Sequence, residues 1–184
     1  MVSRADPPAA RSAKIVVAGG FGVGKTTFVG AVSEVEPVTA EAAITTAAAE
    51  CLFGVDRKAA TTVAFDFGRL TLRNGVVLYL FGTPGQARFA FLWDDLVHGA
   101  LGAVVLVDTR RIEQCFPAVD FFEERGMAFA VAVNNFDGAA RFDLDEVREA
   151  LGVASDVPFV DCDARDGESV KEAIAALLDG VTSR

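Results

Sequence analysis

The sequence predicts a three-layer α/β domain with a mostly parallel sheet of about six strands, one antiparallel hairpin, and helices on both faces. Three observations carry this. A short apolar run at residues 14–18 leads directly into Gly19-Gly20-Phe21-Gly22-Val23-Gly24-Lys25-Thr26, and apolar residues at helical spacing follow over 26–35. β-Branched runs then alternate with helical stretches to the end of the chain, the pattern of right-handed crossovers and a sheet covered on both faces. Asn74-Gly75 stands between two strand-like runs, 62–72 and 76–81, as a strong hairpin signal.

Each element can be justified in order. Residues 1–12 are rich in Pro, Ala and charge and read as a disordered leader, leaving 13–184 as a single domain. A chain of 184 residues has room for one sizeable core and not two. After the first strand and helix, residues 36–60 are alanines, threonines and charges with no clean period. So long a span without an element is uncommon in a compact domain and is often functional. The hairpin strands follow, then a Gly/Pro segment at 82–86 and helical spacing over 88–97. A buried strand is expected at 103–108 and a helix at 111–125, with Pro117 as a break near its middle. The next strand is 128–133. Asp143 caps a helix at 144–151, with Glu146 three residues on as in a capping box. A last strand at 158–162 and an amphipathic helix at 167–178 close the chain.

Composition excludes several classes. Seventeen basic residues against 26 acidic give a formal charge of -9, which argues against bulk attraction to duplex nucleic acid or an anionic membrane. Cys51, Cys115 and Cys162 form neither a disulfide framework nor a zinc pattern, so a reduced cytoplasm is the expected compartment. The first residues lack the apolar core of a signal peptide, and no run approaches the roughly 18 apolar residues of a membrane span.

The chemistry starts at the glycine loop, which matches G-x-x-x-x-G-K-[ST] at every fixed position. Its glycines let successive backbone N–H groups turn onto a polyphosphate, and the following helix offers its positive end to the same anion. Gly19, Gly22, Val23, Gly24, Lys25, Thr26 and Thr27 are the expected phosphate contacts. Lys25 would reach the β- and γ-phosphates and the Thr26 hydroxyl would ligate Mg²⁺. The chain is therefore expected to bind a nucleoside di- or triphosphate. The base is addressed by Asn134-Asn135-Phe136-Asp137, directly after a strand. The Asp137 carboxylate can accept from N1–H and the 2-amino group of guanine, donors that adenine does not present there, so adenine would leave it unpaired. Taken alone, that stretch also reads as a strand-end turn. Asp163-Ala164-Arg165 follows a later strand and could set the Ala164 N–H on the guanine oxygen, and the two segments together favour guanine.

The set Gly19 to Thr26, Thr62, Gly82 to Gln86, Asn134 to Asp137 and Asp163 to Arg165 resembles the five guanine-nucleotide motifs of Ras-like small GTPases, over roughly residues 14–178. Residues 62–68 (TVAFDFG), 81–86 (FGTPGQ) and 91–96 (FLWDDL) resemble the bacterial MglA-like branch, and within it the actinobacterial conservon GTPases of CvnD type. The resemblance implies a cytoplasmic switch that binds GTP or GDP with Mg²⁺ and hydrolyses GTP. It also implies a roadblock-type regulator and a sensor-kinase-like membrane protein as partners, the latter a means of membrane recruitment; homodimerisation stays open. By the same resemblance Lys25, Thr62 and Gln86 are the catalytic residues. Thr62, with Thr61 as its neighbouring alternative, would complete the magnesium shell with Thr26 and sense the γ-phosphate. Gly85 would donate its N–H to that phosphate and Gln86 would orient the attacking water. Asn134 and Asp137 would fix the base with Ala164 behind them. Switch I would span 36–62 and switch II 82–96.

Three positions depart from the family pattern. The usual carboxylate of the D-x-x-G motif is Gly82, which predicts weaker magnesium binding. The usual lysine of N-K-x-D is Asn135, which predicts weaker nucleotide binding. Phe21 stands where a small residue leaves room for the water and an arginine finger, which predicts slow hydrolysis. Arg57 or Lys58 could supply positive charge, although a solvated basic pair is the simpler reading of them. A non-hydrolysing guanine-nucleotide scaffold and a P-loop ATPase or kinase are the rival readings. Of Phe89, Phe91, Leu92, Trp93 and Leu96, some are expected in the core and some to become, in one nucleotide state, an exposed patch that a partner reads. His98 and Cys162 are expected to be structural, and Asp108 to Arg111 either a helix-entry cap or an approach to the site.

Overall fold

The computed structural model describes residues 11–36, 38–43 and 62–182. Its sheet has seven strands in the order β2-β3-β4-β1-β5-β6-β7. The centre is β1 (Ser12–Gly19), flanked in parallel by β4 (Val77–Gly82) and β5 (Gly102–Val107). β6 (Phe129–Asn134) and β7 (Phe159–Cys162) extend the parallel side. β3 (Thr62–Thr71) pairs antiparallel with β4, and β2 (Val38–Ala43) antiparallel with β3 at the edge. β2 adds a strand and a second antiparallel pairing inside the stretch that shows no sequence period. Its VTAEAA sequence alternates only weakly apolar alanines with Thr39 and Glu41 and is short of strand formers, so its strand character comes largely from pairing with β3. Ser12, expected in the leader, already belongs to β1. Residues 44–61, with Cys51, Arg57, Lys58, Thr61 and most of the expected switch I, lie outside the described residues, as do residues 1–10 of the leader.

The central strand is apolar on both sides because both sides are covered, as parallel strands require. Ile15 and Val17 pack with α1 (Lys25–Val32) and α5 (Gly167–Thr182), around Phe28, Val29, Ile174 and Leu177. Val16 and Ala18 face the opposite layer of α2 (Trp93–Val97), α3 (Phe116–Glu124) and α4 (Leu144–Leu151), around Trp93, Phe122, Val147 and Leu151. Strand-end loops therefore gather on one edge of the sheet around β1, the place where an open α/β sheet binds ligands.

Local chemistry explains the boundaries. The Gly75 N–H donates to Leu72 O at 2.8 Å, the Leu72 N–H donates to Val76 O at 2.8 Å, and Gly75 holds φ 82. This is a three-residue hairpin loop whose left-handed bulge position is glycine, in place of the two-residue turn that Asn-Gly suggests. Pro117 does not break a helix but sits in the first turn of α3, where its missing N–H costs nothing. The expected single helix over 111–125 is thus a 3₁₀ segment, Thr109–Gln114, followed by α3. The stretch over 88–97 divides likewise into 3₁₀ Ala87–Leu92 and α2. The capping box of α4 is present, with Asp145 N donating to Asp143 Oδ1 at 2.8 Å and Asp143 N to Glu146 Oε2 at 3.4 Å. No helix among the described residues is long and apolar enough to cross a membrane.

Phe28 is fully buried between α1 and the sheet. Phe28→Ala is expected to lower stability by about 3 to 5 kcal/mol, read as a shifted midpoint in urea unfolding with an unchanged slope.

Candidate nucleotide-binding site

The loop between β1 and α1 has the form its sequence predicts. Gly24 caps α1 with φ 105, a conformation that side chains resist and glycine accepts. The Lys25 side chain is buried, and its Nζ donates to the carbonyl oxygens of Gly19 at 2.9 Å and Gly20 at 2.7 Å. Two of three ammonium protons are thereby spent on the loop, which fixes the group and leaves one proton for an anion. Burial lowers the Lys25 ammonium to about 8, opposed by the nearby Asp66 carboxylate. A phosphate placed against it would favour the charged form again.

The other end of the site is a cleft of about 160 Å³ lined by Gly24, Thr27, Asn134, Asn135, Phe136, Asp137, Asp163, Ala164 and Arg165. Expected phosphate and base residues thus meet in one place. Asn134, at the end of β6 and buried, joins them: its Nδ2 donates to Val23 O at 2.8 Å and its Oδ1 accepts from the Ala164 N–H at 3.0 Å. The Ala164 N–H, expected to meet a guanine oxygen, here donates to Asn134. Arg165 ties the two acidic residues of the cleft together. Its guanidinium donates to both oxygens of Asp137, at 2.7 and 3.1 Å, and to both of Asp163, at 2.9 and 2.8 Å. Sharing this cation holds the Asp163 carboxyl down at about 2 and Asp137 below the usual carboxylate range. Asp137 is exposed and ionised, and a carboxylate has about four acceptor sites, so it retains acceptors for a base's N–H groups.

The segment after β5 reaches the same loop. The buried Asp108 accepts from Arg110 N at 3.0 Å as a cap, and pairs with both Arg110 and Arg111. The Arg110 guanidinium lies 3.7 Å from the centre of the Phe136 ring, and Arg111 Nη2 is 3.6 Å from where a Cβ on Gly22 would stand. Both sequence readings of this segment hold: it is a cap, and it approaches the phosphate loop.

Gly85 packs directly on that loop. A Cβ there would stand 2.7 Å from Lys25 Nζ and 2.9 Å from the Phe21 Cα, so no side chain fits. Gln86 is exposed at the head of the 3₁₀ segment. The Thr83 hydroxyl is buried without a hydrogen-bond partner, alone in this among the described side chains. Trp93 is buried, donates its indole N–H to Pro84 O at 3.3 Å, and meets the Phe121 ring edge-on. Phe89, Phe91, Leu92 and Leu96 are half-buried. The exposed large apolar side chains among the described residues are Phe21, Leu101 and Phe142. The Cys162 thiol is buried and pushed up to about 11, as a core residue should be. The carbonyl of the exposed His98 accepts from Lys14 Nζ at 3.1 Å, a structural contact.

For a divalent cation the described residues offer oxygen. The Thr26 hydroxyl donates to Asp66 Oδ2 at 2.9 Å, and the space beside Gly82, where the sequence lacks a carboxylate, is filled by this same Asp66 side chain. No group of three or more His, Cys, Asp or Glu side chains gathers among the described residues. A hydroxyl and one carboxylate suit Mg²⁺, which takes its remaining oxygens from phosphate and water. Thr62 opens β3 opposite Ala43, and its side chain lies outside the described residues. Asp66 lies inside the 62–68 segment but has no expected role there, because none of the five guanine-nucleotide motif positions falls on it. The signal was available in the hairpin register, which sets it across from Gly82.

Asn134→Ala would leave the Val23 carbonyl and the Ala164 N–H without their partner. A loss of about 2 kcal/mol or more is expected, measured by denaturant unfolding.

Comparison with known proteins agrees with this geometry. The chain is 29% identical over 126 residues to an uncharacterized protein of Methanocaldococcus jannaschii, covering 67% of this chain and 70% of that one. It is similar in fold to the FeoB G-domain of Methanococcus jannaschii, with a TM-score of 0.63, 20% identity, and 94% and 99% of the two chains covered. It is likewise similar to the cytosolic domain of the T. maritima FeoB iron transporter, with a TM-score of 0.69, 20% identity, and 95% and 66% covered. The fold is therefore that of a G domain with a phosphate loop. A family model matches residues 17–183, nearly the whole described domain, and the chain accordingly belongs to the family described as "conserved hypothetical ATP binding protein".

Proposed function

We propose that this chain is a guanine-nucleotide switch that hydrolyses GTP slowly. The observation that carries the reading is that the phosphate loop and the ionised Asp137 face one cleft and are tied together through Asn134. The family description names ATP, but an exposed carboxylate at the base end favours a base with adjacent N–H donors, which guanine has and adenine lacks. The structurally similar FeoB domains, which have been solved in GDP and GMPPNP forms, add support for guanine.

In this reading the free proton of Lys25 and the loop N–H groups hold the β- and γ-phosphates. Thr26 would hold Mg²⁺, which offsets the charge that develops on the transferred phosphoryl group. Gly85 already stands against Lys25, so an entering γ-phosphate meets its backbone, and Gln86 beside it orients water. Motion of Gly85 passes to Pro84, whose carbonyl holds the Trp93 indole. The MglA-like motifs favour a roadblock-type regulator and a sensor-kinase-like membrane protein as partners. A second reading, a nucleotide-bound scaffold that scarcely turns over, is favoured by Phe21, which projects into solvent from the loop beside Gly85.

Titrating the stripped protein with fluorescent GDP, GTP and ATP in Mg²⁺ tests the reading. Guanine nucleotides are expected to bind at least about tenfold tighter than ATP, with Asp137→Ala abolishing the preference. Turnover of GTP is expected below about 0.1 s⁻¹. Equal ATP affinity would remove the guanine assignment, and zero multiple turnover with a cognate partner would leave the scaffold. Trp93 emission is expected to differ between the GDP complex and that of a non-hydrolysable GTP analogue, and identical spectra would sever switch II from the nucleotide.

A further inference from the structure

The Thr26–Asp66 contact assigns a job that the motif positions leave open. A hydroxyl that gives its lone pair to a cation must point its proton away from the metal, and a fixed acceptor on that side holds the orientation. Thr26 has one, since its Oγ1 donates to Asp66 Oδ2 at 2.9 Å. The acceptor is a carboxylate, so it adds negative charge beside the hydroxyl as well as orienting it. Outer partners of this kind fix ligand geometry and raise metal affinity.

The strand pairing explains how the carboxylate comes to be there. β3 and β4 run antiparallel with Phe67 opposite Phe81 and Gly68 opposite Leu80, so one further step sets Asp66 opposite Gly82. Residues directly opposite project to the same face of the sheet. A Cβ on Gly82 would stand 2.9 Å from Asp66 Oδ2 and 3.1 Å from Asp66 Cβ. The two positions thus compete for one volume: a carboxylate can approach Thr26 from β3 or from β4, and glycine at 82 leaves the space to β3.

We propose that Asp66 is the positioning carboxylate of the magnesium site, holding the Thr26 hydroxyl proton from β3 while Gly82 provides the room. Weak metal binding, expected from Gly82 alone, is then not the outcome. The inference rests on the nucleotide-binding reading but not on the identity of the base.

The test is the Mg²⁺ concentration that half-suppresses release of a fluorescent nucleoside diphosphate, with release in excess chelator as the reference. Asp66→Asn keeps the size of the side chain and removes its charge. It is expected to raise that midpoint about 10 to 100-fold while leaving release in chelator within about twofold of the original. Asp66→Ala is expected to shift the midpoint similarly, and Asp66→Ala with Gly82→Asp to bring it most of the way back, because the carboxylate then arrives from β4. Circular dichroism verifies that each variant is folded, and the near-isosteric Asn variant decides the matter if the Ala variants do not fold. A midpoint unchanged in Asp66→Asn, or one shifted in folded Asp66→Ala that Gly82→Asp fails to restore, overturns the proposal. If the chain binds ADP and not GDP, the guanine reading falls and the same midpoints are read with ADP. If it binds neither, both fall.

Discussion

The carboxamide of Asn134 is the contact on which the site depends. It is buried at the end of β6, donates to the phosphate loop at Val23 and accepts from the segment after β7 at Ala164. Neither of those backbone groups is in regular secondary structure, so without this side chain each would need another partner in a place with little access to water. One amide therefore holds the phosphate end and the base end of the cleft at a set distance. The exposed groups Asp137 and Arg165 thus stand on a buried frame.

Above that frame, charge is arranged in pairs that share a cation or a carboxylate. Arg165 lies between Asp137 and Asp163, and Asp108 lies between Arg110 and Arg111. Such arrangements keep the carboxylates ionised and aimed while leaving acceptor sites unused. The same economy appears at Lys25, which gives two protons to carbonyls and keeps one. A chain with a formal charge of -9 thereby presents a locally positive loop to an anion.

The segment after β4 is bound to this frame from two sides. Gly85 rests on the phosphate loop, and Trp93 holds the carbonyl of Pro84 from the core. Phe89, Phe91, Leu92 and Leu96 are half-buried and Trp93 is buried against Phe121 of α3, so the segment couples loop to core. Phe21 is the exposed aromatic nearest the site, and it stands where the loop and Gly85 meet.

Much of this was legible in one dimension because it depends on neighbours in sequence. The strand, glycine loop and helix follow from local spacing, and the α4 capping box from Asp143 and Glu146. The candidate residues Lys25, Asn134 and Asp137 follow from short motifs whose chemistry is local. Other features depend on which strand lies beside which. The edge strand β2 is too rich in alanine, a poor strand former, to be seen without β3. Pro117 reads as a breaker until the helix start is known, and the Ala164 N–H looks free until Asn134 is beside it. Gly82 reads as a lost carboxylate until the antiparallel register brings Asp66 across from it. The sequence by itself determined the fold class and the phosphate-binding chemistry, because periodicity and backbone geometry are local properties. The tertiary structure decided which carboxylate reaches Thr26 and which acceptor each N–H finds, because hydrogen bonds are settled by distances of about 3 Å between residues far apart in the chain.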